Sequence, residues 1–135
     1  MSHRRTALAL ALLGLLGSGC RPDFVTPPPQ LLNGTWVRPH EVPGSSETWT
    51  LSVNGTAIAG TGTWSGEACC GGTIGIVGTV VAGAVHLDLS YTTSNGAGSP
   101  TFSARFDGGL ATPDVLLGSY SRDNGPPALA EMDRR

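Results

Sequence analysis

The sequence predicts an all-β domain: a small antiparallel up-and-down meander of about eight strands closing into a barrel, with a β-sandwich as the alternative. Three observations predict it. Apolar side chains alternate with Thr, Ser and charged residues over many short runs, a period of two rather than that of a helix. Turn residues separate the runs, and Asn54-Gly55 and Ala82-Gly83 are the tightest hairpin signals. Gly60, Gly62, Gly78 and Gly118 recur in phase with apolar residues, as the crowded interior of a small barrel requires.

The first thirty residues stand apart from this pattern. Met1 to Cys20 reads MSHRRTALALALLGLLGSGC. Arg4 and Arg5 make a basic start, Thr6 to Leu16 an apolar signal helix, and Gly17, Ser18 and Gly19 the small residues that a signal peptidase accepts. As a helix, Thr6 to Leu16 extends roughly 16 Å, half of a hydrocarbon core, so it is too short to span a bilayer. Leu16-Gly17-Ser18-Gly19-Cys20 resembles the lipobox of bacterial lipoproteins, with Gly17 where that pattern has Leu. The resemblance implies that residues 1–19 are removed and that Cys20 carries acyl chains which hold the protein to a membrane. It also implies the cell envelope, and the outer membrane or cell surface over the inner membrane, because Arg21 and not Asp follows the cysteine. Ordinary secretion through the general signal peptidase is the alternative.

Residues 20–30 read as the cysteine that the resemblance lipidates, followed by a disordered tether. Pro27, Pro28 and Pro29 favour polyproline II, and ten such residues would reach about 30 Å from the membrane. The domain proper is residues 31–135.

Its runs follow in order. Gly34 to Pro39, around Trp36, is the first. In Glu47 to Val53, Trp49, Leu51 and Val53 face one way and Thr48, Thr50 and Ser52 the other. Ala57 to Ser65 puts Ile58, Gly60, Gly62 and Trp64 on one face. Thr73 to Val81 does the same with Ile74, Ile76, Gly78 and Val80. In Ala84 to Thr92, Val85, Leu87, Leu89 and Tyr91 point inward, while His86, Asp88 and Ser90 point outward. Phe102, Ala104 and Phe106 alternate with Ser103, Arg105 and Asp107. Val115 to Ser121 is a seventh run, and Ala128 to Asp133 a weaker eighth. Closure into a barrel removes the edges that such a sheet would expose.

Gly34-Thr35-Trp36 on the first run resembles the Gly-x-Trp opening of calycin barrels, the lipocalin and avidin group. Gly60-Thr61-Gly62-Thr63-Trp64 and Leu117-Gly118-Ser119-Tyr120 are similar to avidin-type strands. The resemblance implies a barrel whose motif tryptophan packs across the floor against an arginine of the last strand, here Arg134 or Arg135. It transfers no ligand.

Composition narrows the function. Charged residues are only 13% of the chain, and all eight basic residues are arginine. From Cys20 onward there are six Arg against ten Asp and Glu, a formal charge of −4. Apart from the terminal Arg134-Arg135 there is no basic cluster after Cys20, which argues against nucleic acid as a partner.

Candidate sites are few. If Cys20 is lipidated, Cys69 and Cys70 are the remaining thiols, in a glycine-flanked loop. They read as a vicinal disulfide, as reduced or intermolecular thiols, or as a redox or metal pair. Two thiols are half of a tetrahedral zinc site, so no metal and no cofactor are assigned. His86 and Asp88 share an outward face, and His40-Glu41 sits in a loop before Pro43; both read as solvated. The aromatics Trp36, Trp49, Trp64, Tyr91, Phe102, Phe106 and Tyr120 either fill the core or line a cavity. The inward set reads as almost wholly apolar, and no nucleophile elbow, zinc-protease motif or phosphate loop is present, so no catalytic residue is assigned. Two functions remain. One is a membrane-anchored barrel that binds a small apolar ligand or part of a protein partner. The other is a structural or interaction lipoprotein with a filled core that acts through its loops, with a protease-inhibitor-like barrel as a variant.

Overall fold

The computed structural model describes residues 26–39, 44–66, 71–94 and 101–135. The expected signal, Cys20, His40-Glu41 and Cys69-Cys70 lie outside the described residues.

Eight strands follow one another: β1 (Gly34–Pro39), β2 (Ser46–Asn54), β3 (Ala57–Ser65), β4 (Gly71–Val81), β5 (Ala84–Thr93), β6 (Phe102–Thr112), β7 (Val115–Arg122) and β8 (Ala128–Arg134). Each pairs antiparallel with the next. β8 then pairs with β1 through Trp36↔Arg134 and Val37↔Asp133, so the sheet is a closed barrel and not a sandwich. Closure leaves no strand edge to template pairing with another chain. The weak eighth run is a full strand, with Ala130 and Met132 buried in the core.

The two-residue rhythm holds because each strand has one wet and one dry face. In β5, Val85, Leu87, Leu89 and Tyr91 are buried and the residues between them exposed. Large and small side chains alternate across the pairing. Trp49 stands opposite Gly62, and a Cβ on Gly62 would press against the Thr48 carbonyl and lie 3.2 Å from the Trp49 ring. The wall thins where a tryptophan must fit. Trp49 and Phe106 then meet edge to face at the centre, with ring centroids 5.7 Å apart.

The outer wall is hydroxylated and charged. Thr48, Thr63, Thr73 and Thr92 lie side by side on β2, β3, β4 and β5. His86 Nδ1 lies 2.5 Å from Asp107, and Arg105 donates to Asp88 at 3.3 Å. A wall of this kind is the inverse of a barrel that faces lipid.

Tight turns close one end of the barrel. Ala82 and Gly83 both take positive φ, 49° and 82°, the type I′ pattern. The hairpin after β2 differs from the sequence expectation. Only Gly55 is at positive φ, and Asn54 stays in the strand opposite Ala57, so the turn is Gly55-Thr56. A 3₁₀ turn over Pro29–Leu32 lies across this end. Pro27, Pro28 and Pro29 line a small pocket there together with Val80, Gly83, Val85 and Leu110.

Trp36 plugs this floor. Its ring nitrogen donates to Leu32 O at 2.9 Å, and the Arg134 guanidinium lies 4.4 Å over its ring. Arg134 also donates to Asn33 O at 2.8 Å, to Pro113 O at 3.1 Å and to Leu31 O. Gly34, at φ 129°, gives that arginine passage, since a Cβ there would lie 2.9 Å from Arg134 Nη1. A first-strand tryptophan under a last-strand arginine is consistent with a calycin-like barrel.

Candidate functional site

Among the described residues the opposite end is open. Strands β1, β3, β5 and β7 end there, and the inward faces of β1, β2 and β7 close on charged residues. Arg38 follows Trp36 in phase, Glu47 precedes Trp49, and Arg122 follows Tyr120. The register sets Arg38 opposite Glu47, and Glu47 opposite Trp64. Together these side chains enclose a cavity of about 370 Å³, open to solvent on one side. Trp64, Tyr91, Phe102 and Tyr120 form its apolar walls; Arg38, Glu47 and Arg122 supply its charges; Ser45, Ser65 and Gly66 lie at the rim.

The seven aromatic residues therefore divide. Trp36 belongs to the floor, and Trp49 and Phe106 to the solid core between floor and cavity. The other four line the cavity. Tyr91 and Phe102, paired across β5 and β6, stack with centroids 4.2 Å apart and planes at 11°. Trp64 meets both edge-on, at 6.4 Å and 5.9 Å.

Glu47 organises the base. It is 2% exposed, the one charged residue among the described residues that is buried. Burying a carboxylate is costly unless donors surround it. Trp49 Nε1 donates to its Oε1 at 2.6 Å, and the Tyr91 hydroxyl donates to the same oxygen. Arg38 Nη1 lies 3.9 Å from Oε2. The Tyr120 hydroxyl donates in turn to the Tyr91 oxygen at 3.1 Å. Protons along this chain all point toward Glu47.

The tyrosines respond. Burial pushes the Tyr91 hydroxyl far above the ordinary tyrosine range, and the neighbouring Glu47 charge pushes it further. Burial also raises Tyr120, against the lowering effects of its bond to Tyr91 and of Arg38 and Arg122. Both hydroxyls stay protonated and serve as donors into the wall.

The arginines sit on rings. The Arg38 guanidinium lies 4.4 Å over Tyr120, and that of Arg122 lies 3.7 Å over Phe102. Arg122 Nε also donates to Asp123 at 3.2 Å.

The expectation of an almost wholly apolar interior is thus corrected at the mouth. Arg38, Glu47 and Arg122 were in plain phase with inward neighbours, and the periodicity that placed Trp49 and Leu51 also places Glu47. His86 and Asp88 do face outward, but each pairs across strands, with Asp107 and Arg105, rather than with the other. Among the described residues no cluster of three or more His, Cys, Asp and Glu could hold a metal ion. Comparison of the chain with protein-family models, with curated proteins and with solved structures gives no match.

Proposed function

We propose that the chain is a membrane-anchored bacterial lipoprotein of the cell envelope whose barrel binds a small ligand in its mouth. The observation that carries the binding is the cavity: about 370 Å³, four aromatic walls and a few convergent polar groups. Its volume falls at the lower end of the range of small-molecule sites, roughly 300 to 1,000 Å³.

The anchor and the mouth belong together. Thr26 and Pro27 lie against the Ala82-Gly83 turn, so the chain reaches the barrel at its floor. From Cys20 to Thr26 six residue steps span at most roughly 22 Å. The longest strands, β4 and β6, have 11 residues each. At about 3.3 Å per residue and a tilt near 40°, the wall is about 25 Å tall. A lipid on Cys20 therefore holds the floor toward the membrane and leaves the mouth facing water.

Native mass spectrometry of the protein from bacterial membranes tests both halves. Acyl mass on Cys20 and a retained small molecule are expected. An unacylated first residue defeats the anchor. A cavity that holds nothing, and that no small aromatic or aliphatic compound enters, defeats the binding reading.

A further inference from the structure

We propose that the cavity selects an anion carried on a flat apolar body, such as a small aromatic carboxylate; this rests on the reading of the mouth as a binding site.

The case is an inventory of donors and acceptors. Each aromatic polar group in or beneath the cavity spends its proton inside the protein. Trp64 Nε1 donates to Thr92 O at 3.2 Å, and Trp49 Nε1 to Glu47. Tyr91 donates to Glu47, and Tyr120 to Tyr91. None of these four can offer a proton to a ligand without breaking a bond to the wall. The guanidinium groups differ. The Arg38 guanidinium makes no hydrogen bond among the described residues, and the Glu47 oxygen it faces is 3.9 Å away. Arg122 uses Nε on Asp123, which leaves Nη1 and Nη2 without a hydrogen-bond partner among the described residues. An arginine carries five N–H donors in a planar fork suited to a carboxylate.

Position agrees with chemistry. Phe102, stacked on Tyr91, and Tyr120 hold the two guanidiniums by their faces. Trp64 supplies a further ring beside them. A planar apolar body in this cup lies among rings, and its acceptor group meets the guanidinium forks. The Glu47 carboxylate is compensated before a ligand arrives, by the Trp49 and Tyr91 donors and by Arg38 3.9 Å away.

The test uses two probes of one shape and different charge: naphthalene-carboxylate and naphthalene-carboxamide. Each is titrated by calorimetry into the purified exported protein at low salt. The carboxylate is expected to bind about tenfold tighter, as a charge-assisted bond implies, and added salt should shrink the advantage. Arg122→Gln changes an exposed side chain that does not support the core, and it should weaken the carboxylate more than the carboxamide, bringing the two together. Arg38→Gln should act in the same direction. Equal binding of the two probes, or an unchanged ratio in both variants, overturns anion selection while the binding site stands. Failure of both probes to bind overturns the selection and counts equally against the binding site.

Discussion

Alkaline titration isolates the cavity, because the chain contains no lysine and just two tyrosines, Tyr91 and Tyr120, both of which line it. Above the range of the cysteine thiols and below that of arginine, those two hydroxyls are the groups left to titrate. Unfolded, each ionises near pH 10. Folded, both are raised, Tyr91 most of all, by burial and by the Glu47 charge. The folded state therefore keeps protons that the unfolded state has lost. Stability is fully present below pH 10 and falls as pH rises above it. The slope is about 1.4 kcal/mol per pH unit for each proton held, so at most roughly 2.7 for the pair. Two units above pH 10 the Tyr91 proton alone accounts for about 2.7 kcal/mol, a large part of the stability of a small domain, and the more exposed Tyr120 adds in the same direction. Tyrosinate absorbance should stay silent near pH 10 and then rise together with loss of the far-ultraviolet strand signal. Tyr120→Phe should make the fall shallower, since one held proton is gone. Two reversible ionisations near pH 10 with the barrel intact would refute the buried Tyr120–Tyr91–Glu47 chain.

Other outcomes follow from the fold. Gly78→Ala should lower stability by about 3 kcal/mol in urea unfolding, because the new methyl collides with the His86 carbonyl and lies 2.8 Å from Leu87 Cδ2. Ala82 holds φ at 49° without being glycine or asparagine, so Ala82→Asn should raise stability by about 1 kcal/mol in the same assay. Arg134→Ala strips the floor of its cover on Trp36 and of donors to three carbonyls, and a loss of about 3 kcal/mol is expected, read as a drop in melting temperature. On vesicles carrying the acylated protein, a dye on the Gly55-Thr56 turn should be quenched by a membrane quencher more strongly than one at Gly125; the reverse order would break the proposed orientation.

Most of the wall was legible in the sequence because it obeys one rule. Where a strand has a dry face and a wet face, alternation is forced, and β2, β3 and β5 show it without interruption. The Asn54-Gly55 turn was misplaced by one residue for a physical reason: Gly55 alone relieves the backbone in a turn with glycine first, so Asn54 is free to complete its pair with Ala57. Closure was less direct. Strand alternation is equally compatible with a sandwich, and what decides is the pairing of β1 with β8, a contact between residues nearly a hundred positions apart. The Gly34-Thr35-Trp36 opening held the clue, since Trp36 needs a cover and Arg134 is the cation that the last strand brings to it.

The mouth was hidden by treating polarity as the sign of an outward face. Glu47 begins the same run as Trp49 and Leu51, and two-residue spacing leaves it no choice but to point inward. Arg38 and Arg122 are bound by the same geometry to Trp36 and Tyr120. Phase outranks polarity, because a strand cannot turn one side chain outward without turning its whole face. An inward charge at the end of a run then carries information that an outward charge lacks. It marks where the dry core stops, and where several such ends converge on neighbouring strands it marks an opening. Here Arg38, Glu47 and Arg122 end three runs around one cavity, above a core closed by Trp49 and Phe106. Substituting Glu47 by Ala tests that reasoning directly. The Trp49 and Tyr91 donors would lose their shared acceptor inside the wall, at a cost of about 1 to 3 kcal/mol each. Glu47→Gln keeps an oxygen in the same place and should recover most of that loss in urea unfolding. If alanine and glutamine behave alike, Glu47 is not the acceptor on which the mouth is built.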